Sequence, residues 1–556
     1  MSEEKANMIK VKIKGKIETE VPHGITLLEL SKNYEDSFTS SIMGARVNNR
    51  IKGLTYQITE PCNLDFLDMT NEDGMRIYRR SLAFLLSLAV HELYPDGKVT
   101  ICHSLSKGLY CEFKYKEMLT EDIVKNIEKR MHEIVERKLS FNRRVISIED
   151  AKIICQKECR IDLIHLVEHR AKPHITLYEC GGLSDCYYGY LLPDTSYLKL
   201  FELKYYPPGF ILRFPEKTEP SALPAFIENK KLFNIFNEYK RWGKIMEVEN
   251  VGMLNQIIEA GEIGDLIRIS EGLYEKKIAQ VADMIAMDPN KRIVLIAGPS
   301  SSGKTTTAQR LAIQLRVNCL KPVMISLDNY FLDRDRTPID ENGEYDFESL
   351  DAIDVALFNE HLRDLLAGKE VEIPSFNFTK GAREDKGTKL KITDNQIVII
   401  EGIHGLNEKL TASIEKKNKF KIYVSALTSL SIDDHNRIPT TDTRIIRRIV
   451  RDSQYRNHDA LSTIKRWPSV RRGEESNIFP FQEEADVMLN SALIYELGVL
   501  KTFAEPLLQA VDETHPEYSE ARRLLNFLSY FLSIGTEDIA ITSIVREFIG
   551  GGCFCR

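Results

Sequence analysis

Lys304 and Thr305 follow a short glycine-bracketed loop, Gly298-Pro299-Ser300-Ser301-Ser302-Gly303, and these residue types in this order can hold a polyphosphate. Such a loop turns backbone N–H groups inward around an anion. Glycine is needed where the backbone takes positive φ or approaches the ligand closely. Lys304 supplies a mobile positive charge and Thr305 a hydroxyl for Mg²⁺, with Thr306 continuing the site into a helix whose dipole favours anions. A chance match in a surface loop is the plain alternative. The context argues against it: the apolar run 293–297 reads as a buried strand before the loop, and Ala308, Leu311, Ala312 and Leu315 recur at helical spacing after it. The expected ligand is a nucleoside triphosphate.

Two further acids end apolar runs of the same kind. Val323-Met-Ile-Ser-Leu leads to Asp328, and Ile397-Val-Ile-Ile leads to Glu401. In an open parallel sheet the ligand sits at the carboxyl ends of the strands, so Asp328, Glu401 and the loop should meet at one edge. Carboxylates facing phosphates are sensible as Mg²⁺ ligands beside Thr305, or, for Asp328, as a proton acceptor. Either acid alone could be an ordinary strand-end turn residue.

A third feature is Arg444, Arg447, Arg448 and Arg451, which share one face of a helix, with Ile445, Ile446, Ile449 and Val450 on the other. A solvated charged face is the usual meaning of such a pattern. No acid stands between these arginines, however, and an anion is needed to offset their repulsion. A lid closing on transferring phosphates would supply it.

Together these stretches resemble the uridine kinase family within the wider phosphoribulokinase-like group. Asp328-Asn-Tyr330-Phe331, Tyr345-Asp346, Pro374-Ser-Phe376-Asn-Phe378 with Arg383, and Asp442-Thr-Arg444 through Arg456 carry the likeness. The resemblance implies ATP and Mg²⁺ as cofactors and Asp328 as the group that takes the proton from a nucleoside 5′-hydroxyl. It implies Arg444, Arg447 and Arg451 as catalytic with Lys304, and Arg448 and Arg456 on the nucleotide. Tyr330, Phe331, Tyr345, Asp346, Phe376 and Arg383 would hold substrate. Gly381 stands where these kinases commonly carry a histidine, and Phe331 and Phe376 replace tyrosines. Fewer polar groups are left to read a base, so the acceptor is open between a uridine- or cytidine-like nucleoside and another small alcohol.

The preceding half reads differently. Over 8–70, Ile9-Lys-Val-Lys-Ile-Lys and Ile17-Glu-Thr-Glu-Val alternate around Gly15-Lys16 as a hairpin, and Thr26 with Glu29 forms a capping box. Ala45-Arg-Val and Asn63-Leu-Asp-Phe-Leu suggest two more strands. This resembles the ubiquitin-like β-grasp TGS domain. Residues 71–215, through Ile77-Tyr-Arg-Arg-Ser-Leu-Ala-Phe and Gly108-Leu-Tyr-Cys-Glu-Phe, resemble the α+β editing domain of threonyl-tRNA synthetases. That family's chemistry depends on His-Ser-x-x-His with a later Cys and His; here Arg80, Phe84 and Ser184 replace three of the four groups and Cys180 remains. The resemblance implies a scaffold without deacylase activity. Arg80 could bind an RNA phosphate, a surface ion pair being the plainer role. His165 and His169, four apart, could form a metal half-site, although the stretch reads first as an amphipathic helix. Residues 216–289 read as a linker and helical connector broken at Gly243, Gly252, Gly261 and Gly264, 290–490 as the kinase domain, and 491–556 as a helical tail. Arg466, Arg471 and Arg472 around Trp467 suit either a phosphate or a helix cap.

The expected architecture is therefore multidomain α/β: a P-loop NTPase parallel sheet flanked by helices, preceded by the β-grasp and editing-like modules. With 556 residues and a net charge of −7 there is no global basic field for nucleic acid, so RNA contact through the N-terminal half would be local. Ten cysteines without Cys-x₂-Cys pairs, no basic-apolar leader, and an apolar run (Leu82 to Val90) too short for a bilayer predict a cytoplasmic protein with no membrane partner. Two functions follow from the chain order. One is a kinase acting on a nucleoside-like alcohol; the other is an RNA- or ribosome-associated regulator whose nucleotide site switches conformation.

Overall fold

The computed structural model describes residues 8–14, 17–170, 172–339, 343, 345–377, 380–384, 386–393 and 395–554. The expected turn at Gly15-Lys16, Phe378 of the Pro374 stretch, and Cys555 and Arg556 lie outside them.

The chain is multidomain α/β, and its C-terminal half is built on a five-stranded parallel sheet. The strands are β1 (Ile293–Ala297), β2 (Lys321–Ser326), β3 (Gln396–Glu401), β4 (Lys419–Ser425) and β5 (Val487–Asn490), in the order β2-β3-β1-β4-β5. Each pairing is parallel. Both faces of the sheet are covered, so β1 and β4 read as unbroken buried runs and not as alternating ones. The helices used below are α1 (Ile263–Ala286), α2 (Lys304–Val317), α3 (Thr440–Tyr455), α4 (Ala460–Asn477), α5 (Glu496–Gln509), α6 (Tyr518–Leu528) and the short α7 (Arg546–Ile549).

The first module is a five-stranded sheet in which Met8–Ile13 pairs antiparallel with Ile17–Pro22 and parallel with Cys62–Asp68. Thr26 and Glu29 make the expected reciprocal cap, with Thr26 Oγ1 accepting from Glu29 N–H at 3.1 Å. The second module sets the long helix Glu72–Leu93 beside a four-stranded and a three-stranded antiparallel sheet. The charged stretch from Glu121 forms a helix whose Ile127, Met131 and Ile134 are buried, while Glu121 and Lys125 pair on its outer side at 2.9 Å.

One apolar core runs from Ile146, Leu163 and Leu177 through Leu254 and Tyr274 to β1, α3 and α5. Of the stretch expected as a connector, helices Val251–Glu259 and α1 join this core, while helix Lys230–Ile245 packs its Ile235, Phe236 and Tyr239 in a second cluster with Leu406, Tyr423 and Met488. Of the four glycines read as breaks, Gly261 interrupts the helices, with φ +75°. Gly243, Gly252 and Gly264 lie inside them, and Gly252 is there for space: a Cβ would come within 2.8 Å of His165 Cβ.

Candidate phosphoryl-transfer site

The loop between β1 and α2 turns because its residues leave no other course. A Cβ on Gly298 would lie 1.9 Å from Val424 O, and Gly303 closes the loop at φ +81°. Ser301 takes φ +57°, which a non-glycine residue rarely adopts. The Ser301 and Ser302 hydroxyls are buried without a hydrogen-bond partner among the described residues. Lys304 folds back, donating from Nζ to Gly298 O at 2.9 Å and Pro299 O at 3.2 Å. Burial lowers its pKa, against the pull of Glu401, Asp328 and Glu547.

Glu401 ends β3 in register with Ile296 of β1 and Ser326 of β2, so the carboxyl ends of the central strands converge as anticipated. Its carboxylate accepts from Thr305 Oγ1 at 3.1 and 3.3 Å. Burial, with Asp328 and Glu547 nearby, pushes Glu401 up to about 7, while Lys304 and Thr305 oppose the shift. Asp328 is the second residue of a short 3₁₀ turn after β2, Leu327–Tyr330, and its carboxylate accepts no hydrogen bond among the described residues. Burial raises its pKa, with Lys304 and Arg456 pulling the other way. Hard oxygen donors of this kind, a hydroxyl and two carboxylates beside a phosphate loop, suit Mg²⁺, which keeps several of its waters.

The arginine helix differs from the expectation. Arg444 and Arg447 are 1% and 0% exposed, and the missing acids come from other helices. Arg444 Nη2 donates to Glu474 of α4 at 2.7 Å and Nη1 to Ser300 O at 3.2 Å. Arg447 Nε donates to Glu496 of α5 at 2.9 Å, Nη2 to Ser491 O at 2.7 Å and Nη1 to Ser301 O at 3.3 Å. Both side chains brace the phosphate loop from behind, and the repulsion argument for an external anion does not hold for them. Arg448, Arg451 and Arg456 share Asp452, and Arg448 also reaches Ser300 Oγ at 2.7 Å. Trp467 lies under Arg444, 5.4 Å from its guanidinium, and Arg471 pairs with Glu474 and Glu475, so this block seats the brace.

The expected substrate residues are split. Tyr330 is fully buried, its hydroxyl 3.1 Å from His361 Nδ1, and the Phe331 and Phe376 rings pack in the same apolar cluster, tilted to each other with centroids 5.7 Å apart. Arg383 is committed to the backbone of that turn: it donates to Tyr330 O at 3.1 Å and Phe331 O at 3.0 Å and pairs with Asp354 at 3.2 Å. Arg383 thereby fixes the end of the turn that carries Asp328. Tyr345 is exposed, and Asp346 accepts from Glu348 N–H at 3.1 Å. Glu348, which periodicity did not single out, is pushed up to about 7 by burial and by Glu474, against Arg448 and Lys304. Glu474, Glu496 and Glu547 were equally silent; a glutamate within an ordinary helix carries no local sign of what it faces.

In the second module, Phe84 fills the position expected of a histidine and packs on Phe141 and Tyr187 at 5.3 and 5.7 Å. Cys180 is buried, its thiol pushed up to about 12 by burial, and Ser184 lies in the strand Leu183–Cys186. Arg80 makes no ion pair among the described residues; its guanidinium lies over Gly189, where a Cβ would be 2.3 Å from Nη1. His169 turns Nδ1 to His165 O at 2.9 Å and Nε2 to Glu259 at 3.0 Å. Among the described residues no group of three or more His, Cys, Asp or Glu could hold a metal, so the half-site is not completed.

A phosphate loop, an acid at each of two strand ends and a parallel sheet define a P-loop phosphotransferase type of domain. Residues 293–493 match the family described as Phosphoribulokinase / Uridine kinase family. The N-terminal half matches threonine–tRNA ligases. That of Francisella philomiragia subsp. philomiragia is 32% identical over 199 residues, 35% of this chain and 31% of the ligase. That of Desulforamulus reducens is 30% identical over 197 residues, again 35% and 31%. The chain thus spans 31% of the length of these relatives. Among solved structures, a possible uridine kinase from Bacillus stearothermophilus shares 18% identity over 36% of this chain and 89% of its own, with TM-score 0.25. D-glycerate 3-kinase from Cryptococcus neoformans var. grubii serotype A shares 14% over 45% and 87%, with TM-score 0.22. No helix among the described residues is long and apolar enough to cross a membrane.

Proposed function

We propose that the protein is an ATP- and Mg²⁺-dependent kinase that transfers the γ-phosphoryl group to an alcohol, a nucleoside 5′-hydroxyl by preference. The observation that carries this reading is the convergence at one edge of the parallel sheet of Lys304, Thr305, Glu401 and Asp328, whose carboxylate has no ion-pair partner among the described residues. Thr305 and Glu401, with Asp328 through water, would hold Mg²⁺, which offsets phosphate charge. Lys304 would leave the Gly298 and Pro299 carbonyls for the β- and γ-phosphates. Asp328, its pKa raised by burial at the end of β2, is suited to accept the acceptor's proton as its oxygen attacks. Arg448, Arg451 and Arg456 are the cations left to meet developing charge. The domain division is part of the proposal: 8–70 and 71–215 as ligase-like modules, the second without deacylase chemistry, then 216–289, 290–490 and 491–556.

A second reading, an RNA- or ribosome-associated nucleotide switch, draws on the N-terminal match and on one chain of charges. Arg76 of the long N-terminal helix pairs with Glu520 at 2.8 Å, and Arg523 pairs with Glu520 at 2.7 Å and with Asp442 of α3 at 2.6 Å. A switch has no use for an acceptor-side base. An ATP-consumption screen over nucleosides and small alcohols separates the two: acceptor-dependent ADP formation supports the kinase, and tight ATP binding with no turnover on any acceptor supports the switch.

A further inference from the structure

The phosphate loop already carries an anion from the chain itself. Glu547, in α7 near the C-terminus, accepts from Thr306 N–H at 3.1 Å and from Thr306 Oγ1 at 2.6 Å. Thr306 lies in the first turn of α2, where backbone N–H groups lack intrahelical acceptors and are the natural donors to a phosphate. The segment around Glu547 is seated on the loop. Ile544 lies so close to Gly303 that a Cβ there would be 2.2 Å from Ile544 Cδ1, and the Arg447 guanidinium lies 4.8 Å from the Phe548 ring. Arg546 ties the segment back by donating to Thr536 O and Ile539 O at 2.8 and 2.9 Å. Ile544, Phe548 and Ile549 are buried, while Glu547 is half-buried.

We propose that segment 543–549 is an autoinhibitory plug of the nucleotide site, with the Glu547 carboxylate standing on Thr306 where a phosphate oxygen must bind. The proposal rests on the reading of 298–305 as the nucleotide loop. An N–H cannot serve a carboxylate and a phosphate oxygen at once, and two anions at hydrogen-bonding distance of one threonine repel. Nucleotide therefore binds a conformer in which Glu547 has swung out. If that conformer makes up about 1–10% of the resting protein, apparent affinity is reduced about 10- to 100-fold.

The test is Mg²⁺-ADP binding by calorimetry on the full chain for the wild type, Glu547→Ala, Glu547→Gln and Lys304→Ala, with hydrogen exchange over 543–549. Glu547→Ala should bind ADP about 10- to 100-fold more tightly. Glu547→Gln should fall between, since its amide oxygen still accepts from Thr306 without the charge. Exchange over 543–549 should rise when ADP binds the wild type. Equal affinities, with exchange over 543–549 unchanged by ADP, overturn the plug. Should Glu547→Ala fail to fold, the near-isosteric Glu547→Gln carries the comparison alone. Folded proteins that bind no ADP, or Lys304→Ala binding as the wild type does, would overturn the loop reading and the plug with it.

Discussion

Arg447 and Glu496 are 0% and 1% exposed, and their pairing sets a specific expectation. Arg447→Met leaves Glu496 as an uncompensated buried charge, which costs about 3–5 kcal/mol. It also strips donors from the Ser301 and Ser491 carbonyls, each unsatisfied acceptor costing about 1–3 kcal/mol. Adding Glu496→Leu removes the stranded charge and leaves only the carbonyl loss. The double variant should thus be more stable than Arg447→Met by about 3–5 kcal/mol, an uncommon case of a second core substitution repairing the first. The chain has two tryptophans, and both Trp242 and Trp467 pack in the C-terminal half, so intrinsic fluorescence during urea unfolding reports on this core. At an m-value of about 2 kcal/mol/M, the midpoint should recover by about 1.5–2.5 M. A neutral Arg447→Met, or a double variant no better than the single, would refute the brace.

Three further outcomes follow from the site and its surroundings. Glu401 holds its proton up to about 7, and a cation needs the ionised form, so Mg²⁺-dependent nucleotide affinity should rise about tenfold per pH unit below 7 and level off above it; Glu401→Gln should abolish that slope, and a flat wild-type profile would contradict it. Because this folded-state pKa lies above the ordinary 4.5, the same group should make the apo protein less stable as pH rises from about 4.5 to 7, visible as a falling urea midpoint that Glu401→Gln flattens. The full chain should leave mischarged threonine tRNA intact, since Phe84 occupies the expected histidine position; hydrolysis above the buffer rate would show that another group has taken over.

What could be read in advance divides along physical lines. The loop, Asp328 and Glu401 were legible because motif and strand ends are local properties of the chain, and a parallel sheet has one place to put them. The arginine face of α3 was legible as a periodicity, but a periodicity names no neighbour. Glu474 and Glu496 reach Arg444 and Arg447 from α4 and α5, and that meeting is decided by packing. The same limit applies to Tyr330, Phe331, Phe376 and Arg383. The resemblance implied substrate contacts, whereas the fold turns the rings into the core and spends the guanidinium on carbonyls. Gly252 looks like a helix breaker until His165 is seen against it. Glu547 lies far along the chain from the loop it caps, and nothing near it in sequence marks it as part of a site.

The kinase assignment is tested most directly at Asp328. Asp328→Asn keeps the shape of the side chain and removes its charge and basicity, while the Thr306, Lys304 and loop donors stay in place. The measurement is acceptor-dependent kcat beside ATP affinity, at two Mg²⁺ concentrations. The account predicts that kcat falls by about 10²–10⁴ with little change in ATP binding and no rescue by added Mg²⁺. An unchanged kcat would contradict the proton-acceptor role, and full recovery with excess Mg²⁺ would make Asp328 a metal ligand instead.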